Sequence, residues 1–482
     1  MRTIKEPEIT ALAPNANAAA NARKISSGGG FVSRKRSRDD TFYMGECKGS
    51  GKSNYVVSAD YIDEEHPVFR CTCPSRQLPC KHTLALLYEM AAGKDFELTE
   101  IPEEILDKRA RKEAREAQKQ SGEKKPASEK SLKAAAAARA KKTRKQLEGL
   151  ELLRKLTGDL VHNGLASMGN VSLKTYRDLA KQLGDYYLPG PLVYLNRLIL
   201  EMEACQKDQD PRHYEQAVEI LKKLRALEKK AETYLKEKLE DDTPKADDEL
   251  FEELGGIWRL DDLRELGLKK EQARLLQLAF AVTFDPAGKE YIDKGYWVDI
   301  DTGELSHTCN YRPVKALSHV KQEDSCFDMA RIGRLYYYPG GINRRVRWDA
   351  ASLEPVTSEV LASVREHAHK EIGAAVKLAK NEMKNLLSED TCGMLLAFSR
   401  IGIIETEQGK CWVLEDAAGG RIELAGRTGQ EDSMAALSRI PDPEVFEEQV
   451  LFGLMYYDRE RRRIRMYPCS IVTDRGIVRL LY

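Results

Sequence analysis

Between residues 147 and 243 apolar side chains recur every three to four positions. Leu147, Leu150, Leu153 and Leu160 form one stripe; Ala217, Ile220, Leu224, Leu227, Ala231 and Tyr234 form another. That period predicts amphipathic helices. Gly164 and the pair Gly169-Asn170 interrupt the first stripe. Ser172 is placed to cap a helix over LKTYRDLAKQL, and Pro189-Gly190-Pro191 forces a turn. The last stripe, about Tyr214 to Leu239, is a seam suited to an antiparallel bundle within the chain.

Beyond an acidic link from Asp241 to Glu249 the period shortens to two, as in strands. Three features there occur twice in one order. LAF at 278–280 recurs at 396–398. Trp297-Val298 followed by Asp301 recurs as Trp412-Val413 followed by Asp416. LYYYPGGINRRVRW (335–348) recurs as LMYYDRERRRIRMY (454–467). Near-constant spacing predicts a duplicated β-rich module, over 250–350 and 391–482. One long helix, Thr357 to Ser388, is expected to fill the intervening 351–390. Each module ends in a hairpin. Val346 and Trp348 alternate there with Arg345 and Arg347, and Ile464 and Met466 with Arg463 and Arg465. The outward arginines would guard an edge strand or stack on single-stranded nucleic acid.

The N-terminal part is less patterned. Residues 1–40 are rich in Ala, Asn, Ser and Gly and predict a disordered tail. Residues 99–146 predict a basic, partly helical linker, with fifteen basic and four acidic residues from Lys108 to Lys145. Such an arm is either a solvated linker or an electrostatic contact for nucleic acid. The whole chain of 482 residues has a formal net charge of zero, so affinity for polyanions must come from such local patches. No apolar segment is long enough for a signal peptide core or a membrane span. A cytoplasmic location, where cysteines stay reduced, is expected, with no membrane partner.

That compartment sharpens the reading of RCTCPSRQLPCKH, Arg70 to His82. Three of the chain's ten cysteines and a histidine fall within twelve residues, Cys71 to His82. Upstream, Tyr55–Asp60 and Val68–Cys73 read as a hairpin, and HTLALLYEMAA downstream reads as a helix. Cys71 and Cys73, two apart on a strand, share a face. Cys80 and His82 sit at the helix start. Three thiolates and an imidazole match a tetrahedral zinc site, and four protein donors leave no open position, which makes the metal structural. A disulfide between Cys71 and Cys73 would be strained, and one catalytic pair would leave two thiols unexplained. A nearby EC-KGSGKS run (46–53) ends like a phosphate loop but lacks the first glycine, and it leads into a strand rather than a helix.

Cys-x-Cys, six residues, then Cys-x-His, preceded by CKGSGKSNYVVSADY and followed by an apolar helix, resembles the SWIM zinc finger, in its bacterial form. The resemblance covers about Thr41 to Ala92, within an expected module over 41–98. It implies zinc held by Cys71, Cys73, Cys80 and His82, and a role in binding DNA or protein. The wider layout is similar to bacterial SWIM proteins often encoded beside MoxR-type AAA ATPases, which makes such an ATPase a possible partner. From Thr41 to Leu98 there are six basic and eight acidic residues, so the finger lacks a basic footprint for DNA.

The expected protein is therefore α+β and multidomain. It has a small ββα zinc-binding SWIM module, a helical middle over 147–243 and two β-rich modules joined by a long helix. No catalytic constellation is visible. A non-enzymatic scaffold or adaptor that binds protein or nucleic acid is the leading expectation. The alternative is a DNA- or RNA-binding protein using 108–145 and the arginine hairpins. Two further groupings carry little: His367 and His369 on the expected helix would point apart, and His307, Cys309, His319 and Cys326 match no known metal spacing.

Overall fold

The computed structural model describes every residue except 1, 3, 50–52, 64–66, 76–78, 111–128, 171, 244, 247–248, 407–408, 428 and 482. The chain forms two compact units, Met1–Ser128 and Glu129–Tyr482.

The first unit is larger than a ββα finger. Helices α1 (Glu6–Leu12) and α2 (Ala16–Ser27) precede a sheet in the order β4-β3-β2-β1-β5. Its strands are β1 (Phe31–Arg36), β2 (Phe42–Cys47), β3 (Tyr55–Asp60), β4 (Val68–Cys71) and β5 (Glu97–Leu98). Helix α3 (Lys81–Ala91) is buried at every position from His82 to Met90. A helix apolar all round needs cover on every side. The expectation of disorder over 1–40 therefore does not hold. Asn15 caps α2, and Ile9 of α1 with Ala19 and Ala22 of α2 are buried where both helices pack on α3. The small alanine faces that make this segment look weakly hydrophobic allow close helix contact. A helical stretch over 103–110, α4, is tied to the sheet by Arg109, which meets Asp60 at 2.8 Å. Asp60, 1% exposed, also meets Arg70 at 3.2 Å.

The second unit opens with α5 (Glu129–Asn163), so the basic segment ends earlier than the sequence suggests: its part from 129 to 146 is the start of a bundle helix. Its part from 111 to 128 lies outside the described residues. Along α5, Arg139 pairs with Asp242, and the ammonium groups of Lys142 and Lys145 lie over the rings of Tyr187 and Tyr186. Helices α6 (Leu173–Asp185), α7 (Pro189–Asp208) and α8 (Pro211–Glu240) complete the bundle around Leu150, Leu153, Leu195, Leu198, Leu224 and Leu227. Ser172 caps α6 by accepting from Lys174 N, as its position predicts. Short helices α9 (Glu249–Glu253) and α10 (Leu260–Glu265) follow; α9 packs on α7 and α8, and Leu263 after it packs beside Tyr336 and Tyr338.

Two sheets complete the unit. The first contains β6 (Lys269–Asp285), β7 (Glu290–Asp299), β8 (Leu305–Pro313), β9 (Met329–Tyr337), β10 (Val346–Arg347) and β11 (Ala351–Glu354). Strands β6, β7 and β8 form an antiparallel meander. The N-terminal half of β6 pairs with β9, which pairs with β10. A parallel bridge from His307 to Arg345 brings the third strand back beside the fifth. That circuit is a five-stranded Greek-key barrel. The second sheet repeats it with β12 (Thr391–Ala397), β13 (Arg400–Thr406), β14 (Gly409–Glu415), β15 (Arg421–Leu424), β16 (Val450–Asp458) and β17 (Arg463–Val472). Here β12 pairs with β16, β13 with β14, and β15 lies parallel to β17 at Leu424 and Met466. The long β6 of the first barrel thus corresponds to β12 and β13, split at Phe398 and Ser399. β18 (Ile477–Arg479) adds to β17, and α13 (Ser433–Ser438) packs on it. All three repeated sequence features fall on equivalent strands.

Two expectations fail here. Residues 351–390 are not one helix but β11, α11 (Ser358–Glu366) and α12 (Ile372–Glu382). The break is enforced by backbone pairing: His369 N donates to Leu395 O at 2.8 Å, and Ala397 N donates to His369 O at 2.9 Å. A residue whose N–H and C=O serve a strand cannot also serve a helix. His367 instead caps α11, with its Nε2 3.2 Å from Ile300 O. Nor is the second arginine hairpin an edge. β17 lies between β16 and β15, and Arg463 and Arg465 both pair with Glu423 on β15. Arg345 pairs with Glu252 at 2.5 Å and stacks 3.6 Å from the Tyr338 ring. Among these arginines Arg347 is the exposed one without an ion pair among the described residues.

Two glycines in first turns of helices make opposite predictions. A Cβ on Gly190 in α7 would lie 1.9 Å from Glu253 O, whereas one on Gly373 in α12 would meet nothing within 4 Å. Gly190→Ala should lower stability by about 1–3 kcal/mol, and Gly373→Ala should stay within about 0.5 kcal/mol of the parent. Urea unfolding of the two variants checks both.

Candidate metal centre

The hairpin β3–β4 aligns Val57 with Cys71 and Asp60 with Val68. β4 ends at Cys71, two residues before the expected strand end. Thr72 then locks the exit: its N–H donates to Val56 O, and its Oγ1 accepts from Val56 N, each at 3.0 Å. This clamp aims Cys71 and Cys73 at one point although Cys73 is no longer in the ladder. On the other side Cys80 is the N-cap of α3, and His82 lies in its first turn. The loop residues 76–78, including Arg76, are outside the described residues.

The four donor atoms of Cys71, Cys73, Cys80 and His82 all lie within 4.8 Å of one another. Cys73 Sγ is 3.7 Å from Cys80 Sγ, and His82 Nδ1 is 3.9 Å from both Cys71 Sγ and Cys80 Sγ. A tetrahedron with Zn–S arms of about 2.3 Å has S–S edges of about 3.8 Å, so the cage is already of zinc size. All four ligands proposed from the sequence are brought together.

The electrostatics of the cage call for a cation. A hydrogen bond from Cys71 lowers the Cys80 thiol; burial opposes this, and contacts with His82 and Thr83 lower it further, to about 3. The same contact pushes Cys71 up. The two thiols share a proton, which a divalent ion would displace, taking all three thiolates. Thr83, fully buried, places Oγ1 3.2 Å from Cys80 Sγ. Sequence reasoning missed this support, whose signal is a hydroxyl three residues into a helix capped by a ligand. The Tyr55 ring packs 4.9 Å from the His82 ring. Arg70, a neighbour that might have faced nucleic acid, is committed to Asp60. Cys47 is buried outside the cage, and burial raises its thiol to about 11. Among the described residues no other group of three or more such side chains converges in this way, the His307, Cys309, His319 and Cys326 set included.

Residues 70–90 match the SWIM zinc finger family. The chain carries a SWIM finger with one structural zinc site of the Cys3His type. No curated protein matches the chain. Among solved structures, a murine DNA-binding protein bound to double-stranded DNA is similar at 9% identity and a TM-score of 0.22, over 44% of this chain and 98% of that one. The Ifi202 HINa domain in complex with 20-bp double-stranded DNA is similar at 7% identity and a TM-score of 0.20, over 41% and 93%. At such scores these likenesses carry no weight for ligand or mechanism.

Elemental analysis of the purified chain should find one zinc per molecule, and Cys73→Ser should abolish it. Because α3 is held by a core that α1, α2 and the sheet share, zinc removal should free the segment 72–80 without unfolding α3. Hydrogen exchange after chelation should show protection lost across the loop and retained in Leu84 to Leu87.

Proposed function

We propose that the protein is a non-enzymatic interaction protein, a scaffold or adaptor acting in the cytoplasm, where its thiols stay reduced. The observation that carries this reading is the closed metal cage. With four protein donors, a bound zinc keeps no position for water or substrate and supplies rigidity rather than chemistry. The rest of the chain is consistent with it. Tandem Greek-key barrels are binding scaffolds whose strand faces and loops hold polymers. Among the described residues no helix is long and apolar enough to cross a membrane.

The reading as a nucleic-acid binder is weaker on charge. Arg345, Arg463 and Arg465 are paired with carboxylates, as is Arg139 of the basic arm, whose part from 111 to 128 lies outside the described residues. A cation already neutralised releases few counterions from phosphate.

The test is affinity capture with the zinc-loaded full chain, the Cys73→Ser variant and a chain lacking 108–145, with nuclease added in parallel. Protein partners retained after nuclease and lost with Cys73→Ser are expected; a MoxR-type AAA ATPase is the partner to look for first. Retention of nucleic acid that disappears on deleting 108–145, with no protein retained, would overturn the proposal.

A further inference from the structure

A groove of about 1320 Å³ opens on the first barrel. It is larger than most small-molecule sites, which span about 300–1,000 Å³, and is of a size for a polymer segment. His307, Cys309 and Tyr311 on β8 line it. Thr308 and Asn310 between them also line it, with Thr308 accepting from the Trp297 indole, so residues of both faces of β8 border the groove. The β9–β10 loop at Pro339 to Arg344 makes one wall, and α7 and α9 make another. In five-stranded Greek-key barrels of the OB type, the face of the second and third strands together with the loop between the fourth and fifth holds extended oligomers, often nucleic acid.

The chemistry of this groove does not suit a polyphosphate. Eight carboxylates and four arginines line it. Arg197, Arg344 and Arg345 are already paired, with Asp285, Glu304 and Glu252. Glu253 accepts from Tyr194 Oη at 3.0 Å, yet neither it nor Glu290 nor Glu323 forms an ion pair with a described residue. Burial pushes the carboxyls of Glu253, Glu290 and Glu323 up, the signature of acids with too little positive charge around them. Aromatic rings alternate with them. Three of the chain's four tryptophans, Trp258, Trp297 and Trp348, line the groove, with Tyr194, Tyr311 and Tyr338. Trp258 is 6% exposed, and its indole N–H is buried with no acceptor among the described residues, so it lies beyond a ligand's reach. Carboxylates and ring faces together favour cations. The groove's size favours a polymeric cation over a small amine, and a lysine- and arginine-rich polypeptide is such a polymer.

We propose that this groove binds an extended, lysine- and arginine-rich polypeptide segment. Its side chains would meet Glu253, Glu290 and Glu323. The inference rests on the interaction-protein reading and names the partner chemistry of one of its surfaces.

The experiment is fluorescence anisotropy of the full-length, zinc-loaded chain with labelled octalysine, octaglutamate and a twenty-nucleotide oligothymidylate at about 100 mM salt. Octalysine should bind and octaglutamate should not. The triple variant Glu253→Gln, Glu290→Gln, Glu323→Gln, near-isosteric and with its zinc content unchanged, should weaken octalysine about tenfold or more. The single change Glu290→Lys, at the start of β7, should weaken it in the same direction, which guards against a triple variant that folds poorly. Quenching of tryptophan fluorescence should accompany octalysine binding. Octalysine affinity that is absent, or equal in the parent and both variants, would overturn the proposal, as would displacement of octalysine by oligothymidylate. A chain that binds no octalysine yet loses captured partners with Cys73→Ser loses the groove proposal and keeps the interaction reading.

Discussion

A charge taken out of water has to be met by an opposite charge or by several hydrogen bonds, and this chain meets that demand almost everywhere. Asp60 is held by Arg70 and Arg109, and Glu89 by Arg34 at 2.8 Å. Glu228 lies between Arg154 and Arg225. Asp293, fully buried, takes a two-pronged contact from Arg312 inside the first barrel. Asp299 meets Lys270, and Glu423 meets two arginines. Asp416 has no cation but accepts from the N–H groups of Ile372, Ala418 and Gly420, which hold its carboxyl below the usual range against burial. These pairs join elements far apart in sequence, so charge matching fixes register as well as stability.

Against that background the places where charge is not matched stand out. In the finger, three thiols and an imidazole crowd together with no cationic side chain between them among the described residues, and a divalent ion completes the set. In the groove, Glu253, Glu290 and Glu323 form no ion pair among the described residues although they are partly shielded from water. Glu389 nearby has found one, Lys294 at 2.6 Å, and burial with that lysine beside it takes His307 down to about 4, so the imidazole is neutral at pH 7 and adds no charge. The groove is thus left acidic by its own residues rather than by chance exposure.

The zinc ligands were legible because their chemistry is local: Cys71, Cys73, Cys80 and His82 span twelve residues, and the hairpin and helix around them have strong periodic signals. The bundle was legible for the same reason, down to the cap at Ser172. What surrounds the finger was not. α1 and α2 present Ile9 and small alanines rather than a strong apolar stripe, and their packing depends on α3 being buried all round. The duplicated strands could be read from LAF, the tryptophans and the hairpins, but the barrels could not. Their closure rests on a parallel pairing of His307 with Arg345 and of Leu424 with Met466, which no local pattern announces. The supposed long helix failed at His369, where pairing with β12 overrides propensity. The groove was invisible because its lining runs from Pro189 to Thr391.

Duplication followed by divergence explains why the two barrels offer different surfaces. In the second barrel the equivalent of the β8 face is β15, where Glu423 is satisfied by Arg463 and Arg465 of β17. In the first, the returning strand β10 has only two residues, Val346 and Arg347, and the chain before it runs as a loop through Gly340 and Gly341. At Gly341 a Cβ would lie 1.8 Å from Glu382 Oε1, the movable end of a side chain on α12, so the loop runs close beside that helix. A short fifth strand leaves the barrel wall open beside β8, and α7, α9 and the segment after α12 supply walls instead of covering it. The same five-strand circuit therefore gives one barrel whose charges are closed on themselves and one whose carboxylates remain available, and it is the second condition that makes a binding surface.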